Sequence, residues 1–370
     1  MDPRIEKLAS IIVNYSCKLK KGEKVLIESF GQAPFRLIQA IIREVYKAGG
    51  LPFVALKDNT ISREIIKNCT IPQLKFMTEI DLLEMKGMQA YIGIRAHDNV
   101  NELGDLPREK IAEYMKNYSE IITDWRVEET KWVVLRYPNS SMAQLANTSL
   151  EAFEDFYYEV CNLDYARMSK EMDNLVEFMD KTDNVKIKGP GTDLEFSIKD
   201  VPVIKCDGEF NLPDGEVFTA PVKTSINGII TFNIPQIEQG ITFENVKFKF
   251  KDGKIIEATS NETERLNQFL DIDEGARYTG EFALGVNPYI TKPMRDGLFD
   301  EKIMGSFHLT PGKCYEEASN GNKSALHWDM IVIQTPEYGG GEIYFDDVLV
   351  RKDGRFITDN LKGLNPENLK

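Results

Sequence analysis

The stretch Lys24-Val25-Leu26-Ile27-Glu28-Ser29 has the apolar composition of a short buried strand. Residues 34–48 follow with helical periodicity, and they end at Gly49-Gly50, a typical helix stop. Residues 51–56 are the next apolar run. A strand, a helix and a second strand in this order predict two parallel strands joined by a crossover helix.

The same alternation continues through the first half of the chain. Residues 90–94 and 131–135 are further short apolar runs, and residues 147–179 are strongly helical. We therefore predict that residues 1–185 form an α/β N-terminal domain with a mostly parallel sheet and helices on both faces.

Strand patterns dominate the second half of the chain. Residues 247–251 alternate lysine and phenylalanine and run through Asp252-Gly253 into another apolar stretch. In residues 348–356 an apolar stretch also runs into an Asp-Gly pair, Asp353-Gly354, although the flanking residues differ. Asp-Gly between two such stretches predicts a tight hairpin. We predict that residues 186–370 form a β-rich α+β domain.

The charge of the chain limits its partners. The sequence has 45 basic and 59 acidic residues, a formal net charge of −14, so its net field does not attract nucleic acid or an anionic membrane. This balance suits a metal ion or a substrate ammonium group, although an acidic balance is also common in proteins that bind neither.

Two further observations predict a cytoplasmic protein without a membrane partner. No apolar run approaches the roughly 20 residues that cross a bilayer, and the charged N-terminus does not resemble a signal peptide. The five cysteines are widely spread and form no Cys-x-x-Cys pair, which indicates reduced thiols.

Several common catalytic signatures are missing from the sequence. There is no His-Glu-x-x-His zinc motif, no Gly-x-Ser-x-Gly nucleophile elbow and no P-loop. The stretch Gly189-Pro190-Gly191 lacks the strand-to-helix context of a dinucleotide site and is predicted to be a turn.

The histidines point to metal chemistry. Two of the three fall in one acid-rich region: His308, with Tyr315 seven residues later, and His327, with Asp329 two residues later. His327 and Asp329 lie in a segment rich in isoleucine and valine that is predicted to be a strand. In a strand, the side chains of residues two apart project from the same face. An imidazole and a carboxylate together suit zinc, cobalt or manganese. The alternative, a histidine paired with its neighbour in a buried network, remains open from these residues alone.

Three glutamates are further candidates. Glu216 and Glu281 each follow a glycine and precede apolar residues, and a buried carboxylate without a partner requires a cation. The alternative is a strand glutamate that faces solvent. Glu301, in Leu298-Phe299-Asp300-Glu301, is a weaker candidate, since an exposed acid on a helix or turn explains it equally well.

Taken together, these motifs resemble the thermophilic metalloprotease family M29, which includes aminopeptidases T and S. The resemblance covers nearly the whole chain, and its polar motifs occur in the order of the family. It is carried by Asn14-Tyr15-Ser16, Lys21 to Ile27, Tyr137-Pro138, Met142-Ala143-Gln144, Pro213 to Pro221, Gly280 to Leu284, Leu298 to Glu301, His308 with Tyr315, Ser324 to Met330, Gly340 to Tyr344 and Asp353 to Phe356.

The resemblance implies a site that holds two divalent metal ions, with zinc, cobalt or manganese as candidates. Carried over residue by residue, Glu281 is the carboxylate that bridges the metals, Tyr315 is the catalytic tyrosine, and Glu301 is a metal ligand or a proton acceptor. The remaining implied metal ligands are Glu216, His308, His327 and Asp329. The third histidine, His97, matches no motif.

The function implied by the resemblance is that of a metallo-aminopeptidase. Such an enzyme removes N-terminal residues from peptides with a water molecule activated by two metals, and its substrates are peptides with a free N-terminus. The resemblance also implies a homodimer. Two alternatives remain at this stage: a metal-binding protein of the same fold without peptidase activity, and a hydrolase of another amide or ester class.

Overall fold

The computed structural model describes residues 2–238 and 240–370, which form two compact units. The first unit extends to Asn162 and also includes Gly208–Pro213, and the second contains Leu163–Asp207 and Asp214–Lys370. The boundary that we placed at 185/186 falls within the second unit in this division. No helix in the described part of the chain is both long and apolar enough to cross a membrane.

The strands and helices alternate in the first half of the chain, and strands predominate in the second. The strands are β1 Lys24–Phe30, β2 Leu51–Lys57, β3 Ala90–Arg95, β4 Lys131–Arg136, β5 Asn184–Gly189, β6 Thr192–Ser197, β7 Ile204–Cys206, β8 Asn211–Leu212, β9 Glu216–Thr219, β10 Asn227–Thr231, β11 Gln236–Glu238, β12 Ile241–Phe243, β13 Lys247–Lys251, β14 Lys254–Thr259, β15 Thr279–Gly285, β16 Ser306–Pro311, β17 Met330–Ile333, β18 Glu342–Phe345, β19 Val348–Lys352 and β20 Arg355–Phe356. The α-helices are α1 Pro3–Ser10, α2 Phe35–Lys47, α3 Asn59–Asn68, α4 Ile71–Lys86, α5 Arg108–Tyr114, α6 Glu120–Glu129, α7 Ser140–Leu145, α8 Leu150–Cys161, α9 Tyr165–Asp180, α10 Thr263–Leu270, α11 Gly297–Asp300 and α12 Pro366–Leu369. Two π-helical segments, Ile11–Ser16 and Met115–Ser119, continue α1 and α5.

The first unit is built on a parallel sheet with the strand order β2-β1-β3-β4-β8. The inner strands β1 and β3 are buried along most of their length, as expected for parallel strands covered by helices on both faces. The predicted α/β class is therefore confirmed. The last strand, β8, is only two residues long and comes from the returning segment Gly208–Pro213.

The second unit is rich in antiparallel sheet, which confirms the predicted β-rich class. Its larger sheet has the order β14-β13-β10-β6-β5-β18-β19-β20, its smaller sheet has the order β17-β16-β15-β9-β7, and β11 and β12 form a separate ribbon. Both predicted hairpins are present, between β13 and β14 and between β19 and β20. In the first hairpin Asp252 and Gly253 both have positive φ, as a tight Asp-Gly turn requires.

The helical region predicted for residues 147–179 is two helices rather than one. Helix α8 ends at Cys161, and α9 begins at Tyr165 with Asp164 as its N-cap residue, because the Asp164 side chain accepts a hydrogen bond from the Arg167 amide. This cap marks the start of a new helix. The chain passes from the first unit to the second at the same break.

Candidate metal centre

The candidate site is built on one face of the smaller antiparallel sheet. Glu281, Ala283 and Gly285 alternate along β15, so their side chains share a face. The neighbouring strands place Thr310 opposite Glu281, His308 opposite Ala283 and Glu216 opposite Gly285; these are the cross-strand pairs of β15 with β16 and with β9. Three of the predicted ligands therefore meet across three adjacent strands.

Small residues on the central strand make room for these ligands. Ala283 lies directly opposite His308, and Gly285 lies directly opposite Glu216, so neither position carries a side chain that fills the face. A Cβ atom on Gly285 would lie 2.3 Å from the Ile303 carbonyl oxygen, so the chain also passes too close for any larger residue here. The order carboxylate, alanine, glycine on β15 thus shapes the site.

The candidate ligands form two groups that share Glu281. The first group is Glu216, Glu281 and His308, and the second is Glu281, His327 and Asp329; in each, one ligand atom per residue lies within 4.8 Å of the others. His308 Nε2 is 3.2 Å from Glu281 Oε1. His327 Nε2 is 3.6 Å from Glu281 Oε2 and 3.4 Å from Asp329 Oδ1. One carboxylate therefore offers an oxygen to each group.

His327 and Asp329 converge although they do not lie within a strand. Strand β17 begins only at Met330, and His327 makes an isolated bridge with Gly312, so the strand predicted for these residues starts later than expected. Trp328 between them is buried, with its ring centroid 5.2 Å from that of Phe243. An extended segment before the strand therefore has the same effect as the predicted strand, with two polar side chains on one side and an aromatic ring on the other.

Buried atoms without partners show that the residues fit a metal ion. Within the described residues, Glu216 Oε2, Glu281 Oε2 and His327 Nε2 are buried and make no hydrogen bond. His327 Nδ1 lies 2.8 Å from the Lys313 carbonyl oxygen, so this nitrogen donates its proton and Nε2 keeps a free lone pair. Asp329 is oriented by a hydrogen bond of 2.6 Å from the Thr310 hydroxyl. Unsatisfied buried oxygen and nitrogen acceptors that face each other are costly unless a cation binds them.

The charges of these groups interact strongly in the metal-free protein. Burial and the charge of Asp329 raise the pKa of Glu281 although His308 bonds to it. Burial lowers the pKa of His308, but the hydrogen bond to Glu281 and the nearby carboxylates outweigh this effect and raise it. Burial alone would raise the pKa of Asp329, but the charges of His327 and His308 and the Thr310 bond lower it. The imidazole of His308, with its raised pKa, therefore carries a proton at neutral pH that a metal ion must displace.

Glu301 lies beside the site but belongs to none of the three possible ligand groups found among the described residues, of which the third consists of Cys206, Asp214 and Glu216. It is the C-cap residue of α11, and its Oε1 contacts the Lys302 ammonium, which also lies 3.1 Å from Glu216 Oε1. Burial and the charge of Glu216 raise the pKa of Glu301 well above its usual range, although Lys302 opposes this effect.

Tyr315 packs beside the second ligand group. Its ring centroid is 4.9 Å from that of His327 and 5.6 Å from that of Phe218, and almost half of the residue, 46%, is exposed. Partial burial and the neighbouring carboxylates raise its pKa, so the hydroxyl keeps its proton and is a hydrogen-bond donor at neutral pH. This geometry fits a residue at the edge of the site.

His97, which matched no motif, lies in the first unit. Its ring makes an edge contact with that of Phe30, with the centroids 5.1 Å apart, and burial lowers its pKa to about 4. It is therefore a neutral packed histidine.

Three residues that support the site, Lys302, Thr310 and Asp214, were not predicted from the sequence. Lys302 is buried and lies 3.9 Å from the buried Asp214, and Thr310 orients Asp329. The register could have identified Thr310, because it lies two residues after His308 and therefore on the same face. No local pattern distinguishes Lys302 from the exposed lysines of the chain.

Three aminopeptidases are similar to this chain over most of its length. The chain is 24% identical to Aminopeptidase 2 of Geobacillus stearothermophilus, over 96% of this chain and 95% of that protein. It is 25% identical to Aminopeptidase PepS of Streptococcus thermophilus, over 89% of this chain and 91% of that protein. It is 23% identical to Aminopeptidase T of Thermus thermophilus, over 89% and 92%.

A solved structure shares the fold. Wild-type AmpT from Thermus thermophilus superimposes with a TM-score of 0.80 at 21% sequence identity, covering 96% of this chain and 99% of that one. A model of one protein family, described as thermophilic metalloprotease, matches residues 1–356. This chain belongs to the thermophilic metalloprotease family M29.

Proposed function

We propose that this chain is an aminopeptidase that removes N-terminal residues from peptides with the help of two divalent metal ions. The observation that carries the proposal is the pair of ligand groups that share the buried carboxylate of Glu281. Membership of a metalloprotease family and the similarity to three aminopeptidases support the reaction class.

Each ligand group would hold one ion. Glu216 and His308 would bind one ion, His327 and Asp329 the other, and Glu281 would bridge them through its two oxygens. Imidazole nitrogens together with carboxylate oxygens suit zinc, cobalt or manganese. Divalent ions in such a site supply Lewis-acid polarisation of the scissile carbonyl and a nucleophile derived from water at neutral pH.

The residues of the chain would orient the substrate and move its protons. The Tyr315 hydroxyl keeps its proton, so it can donate a hydrogen bond to the oxygen that becomes negative as the amide is attacked. Glu301 has a raised pKa, so it can hold a proton and pass it to the leaving amine. The buried carboxylates of the site also favour a substrate that carries a free ammonium group.

We extend the proposal to a homodimer, supported by exposed apolar surface on the first unit. On α4 the side chains of Phe76, Ile80 and Leu83 follow helical spacing on one side, and they are 63%, 52% and 76% exposed. Strand β2 is an edge of the described sheet, and it also exposes apolar residues. Exposed apolar side chains of this kind are typical of subunit contacts.

Analytical ultracentrifugation tests the dimer. The wild-type chain should sediment as a dimer, and Leu83→Glu should sediment as a monomer, because a buried charge at a subunit contact is costly. Ile256→Glu, at a position in the second unit that is 50% exposed, is the matched control and should remain dimeric. A monomeric wild type would contradict the dimer, and a dimeric Leu83→Glu would contradict this contact surface.

Hydrolysis of defined substrates tests the activity. Protein loaded with cobalt, zinc or manganese should release p-nitroaniline from aminoacyl-p-nitroanilides, and a chelator should abolish the release. The same peptide with a free and with an acetylated N-terminus provides the specificity control, because an aminopeptidase cleaves only the free form. Metal-loaded protein that cleaves neither substrate would refute the proposed function.

A further inference from the structure

Lys302 places a buried ammonium group among three carboxylates of the second unit. The side chain is 1% exposed, and its Nζ lies 3.1 Å from Glu216 Oε1 and 3.9 Å from Asp214 Oδ1. It also contacts Glu301 Oε1. An ammonium group has three donors, which matches the number of carboxylates around it.

The backbone of Lys302 is fixed relative to the sheet. Asn287 donates a hydrogen bond of 3.1 Å from its amide to the Lys302 carbonyl, and its side chain donates one of 2.7 Å to the Asp214 carbonyl. A Cβ atom on Gly285 would lie only 3.0 Å from the carbonyl carbon of Lys302, so the two segments are closely packed. The backbone of Lys302 is therefore anchored beside the candidate ligands.

The contact with Lys302 makes the two oxygens of Glu216 inequivalent. Oε1 accepts from the ammonium, whereas Oε2 is buried without a hydrogen bond and lies 3.8 Å from His308 Nε2. Glu301 also has one oxygen, Oε1, against the same ammonium. Lys302 thus determines which oxygen of Glu216 faces the ligand group.

We propose that Lys302 is a positioning residue of the metal centre, which holds Oε1 of Glu216 and Oε1 of Glu301 so that Glu216 offers a metal ion only Oε2. This inference rests on the metal site of the proposed function. A carboxylate can bind a metal ion through one oxygen or through both. Restricting Glu216 to one oxygen keeps a coordination position open for water or substrate, as catalytic sites require.

The visible spectrum of the cobalt(II)-loaded protein tests this inference. The absorption bands of cobalt(II) lose intensity as the number of ligand atoms rises. In Lys302→Met both oxygens of Glu216 are free to bind the metal ion, so this variant should show weaker bands than the wild type. Metal affinity is not the diagnostic quantity, because removing the ammonium also removes a repulsive charge. A role restricted to stabilising the fold would leave the spectrum unchanged.

Asp214 provides both the control and a safeguard against misfolding. Asp214→Asn keeps Lys302 and can still accept from the Gly215 amide, so its cobalt spectrum should match that of the wild type. If Lys302→Met does not fold, the double variant Lys302→Met/Asp214→Asn removes one acid together with the cation, and it should show the same weakened bands.

The outcomes separate this inference from the proposed function. A wild-type chain that takes up no cobalt refutes the two-metal site, and the inference with it. A wild type that binds cobalt, with identical bands in the Lys302 variants, refutes the inference alone, even if those variants are less stable or less active.

Discussion

Glu28 in the first unit is a buried carboxylate surrounded by cations, and we predict that Glu28→Gln strongly destabilises this unit. Glu28 lies on β1, and its oxygens are 2.9 Å from Lys57 Nζ, 3.4 Å from Arg95 Nη1 and 3.8 Å from Arg126 Nη2. The Tyr91 hydroxyl donates a hydrogen bond of 2.6 Å to it. Burial raises the pKa of Glu28, but the three cations outweigh burial and lower it to about 2.

The magnitude follows from this pKa. A fall from 4.5 to about 2 corresponds to about 3 kcal/mol, since one pH unit is worth ~1.36 kcal/mol. Glu28 is 4% exposed, so solvent screens little of this energy. Because the pKa is lower in the folded protein, the contribution is present above pH ~4.5 and is lost as the pH falls through about 2. At pH 3 about 1 kcal/mol should remain.

Urea unfolding at pH 7 and pH 3 measures the effect. The chain has three tryptophans, and Trp125 and Trp132 lie in the first unit, so their fluorescence in a Trp328→Phe background reports on that unit. The free energy of unfolding of Glu28→Gln should be lower than that of the parent by about 3 kcal/mol at pH 7 and by about 1 kcal/mol at pH 3. Glu23→Gln, which affects an ion pair with Lys131 nearer the surface, is the control and should cost less than about 1 kcal/mol. A difference for Glu28→Gln that is small at pH 7, or equal at the two pH values, would refute the electrostatic reasoning.

Three predictions concern the metal centre. Tyr315→Phe should lower kcat by roughly 10²- to 10³-fold with unchanged metal content, because it removes one hydrogen-bond donor to the developing oxyanion. Steady-state kinetics and metal analysis measure the two quantities. A loss of metal from this variant would contradict the role assigned to Tyr315. Glu281→Gln should lose both metal ions, because Glu281 belongs to both ligand groups, whereas His327→Gln should lose only one ion. Native mass spectrometry counts the bound ions. If Glu281→Gln retained a single ion, this would contradict the role of Glu281 as the bridging ligand. Metal binding at pH 7 should release protons, because the raised pKa of His308 keeps its imidazole protonated in the metal-free protein. Calorimetry in buffers of different ionisation enthalpy measures this proton release. A heat of binding that does not depend on the buffer would show that His308 is already neutral.

The first sheet was predictable from sequence because its signals are local. Each inner strand is a short apolar run separated by a helix from the next, and the observed strands β1 to β4 cover the predicted runs. Strand β8 gave no such signal, because two residues have no periodicity and their pairing with β4 depends on a contact distant in sequence. The division of the chain near Asn162 was equally hidden, since it depends on which elements pack together and not on composition.

The residues of the candidate site could be proposed from the sequence, but their arrangement in space could not. Residues 216, 281, 308 and 329 are separated by long stretches of sequence, and only the antiparallel register of β9, β15 and β16 brings the first three to one face. The sequence could propose them because each is a polar residue in an apolar context. It could not reveal that Lys302 contacts Glu216, because that contact depends on how the segment after α11 returns to the sheet.

The same polar residues explain why the site looks anomalous as part of a fold. Strands β15 and β16 are buried at every position, an environment in which apolar side chains normally satisfy both faces. Glu281 and His308 break that rule on adjacent strands, and Glu281 Oε2 has no hydrogen-bond partner among the described residues. A sheet that served stability alone would gain from replacing both residues with apolar ones, since buried charges are costly even when paired. Their presence together on two fully buried strands is therefore evidence of chemistry, and a bound cation would supply the interactions that the protein alone leaves unmade.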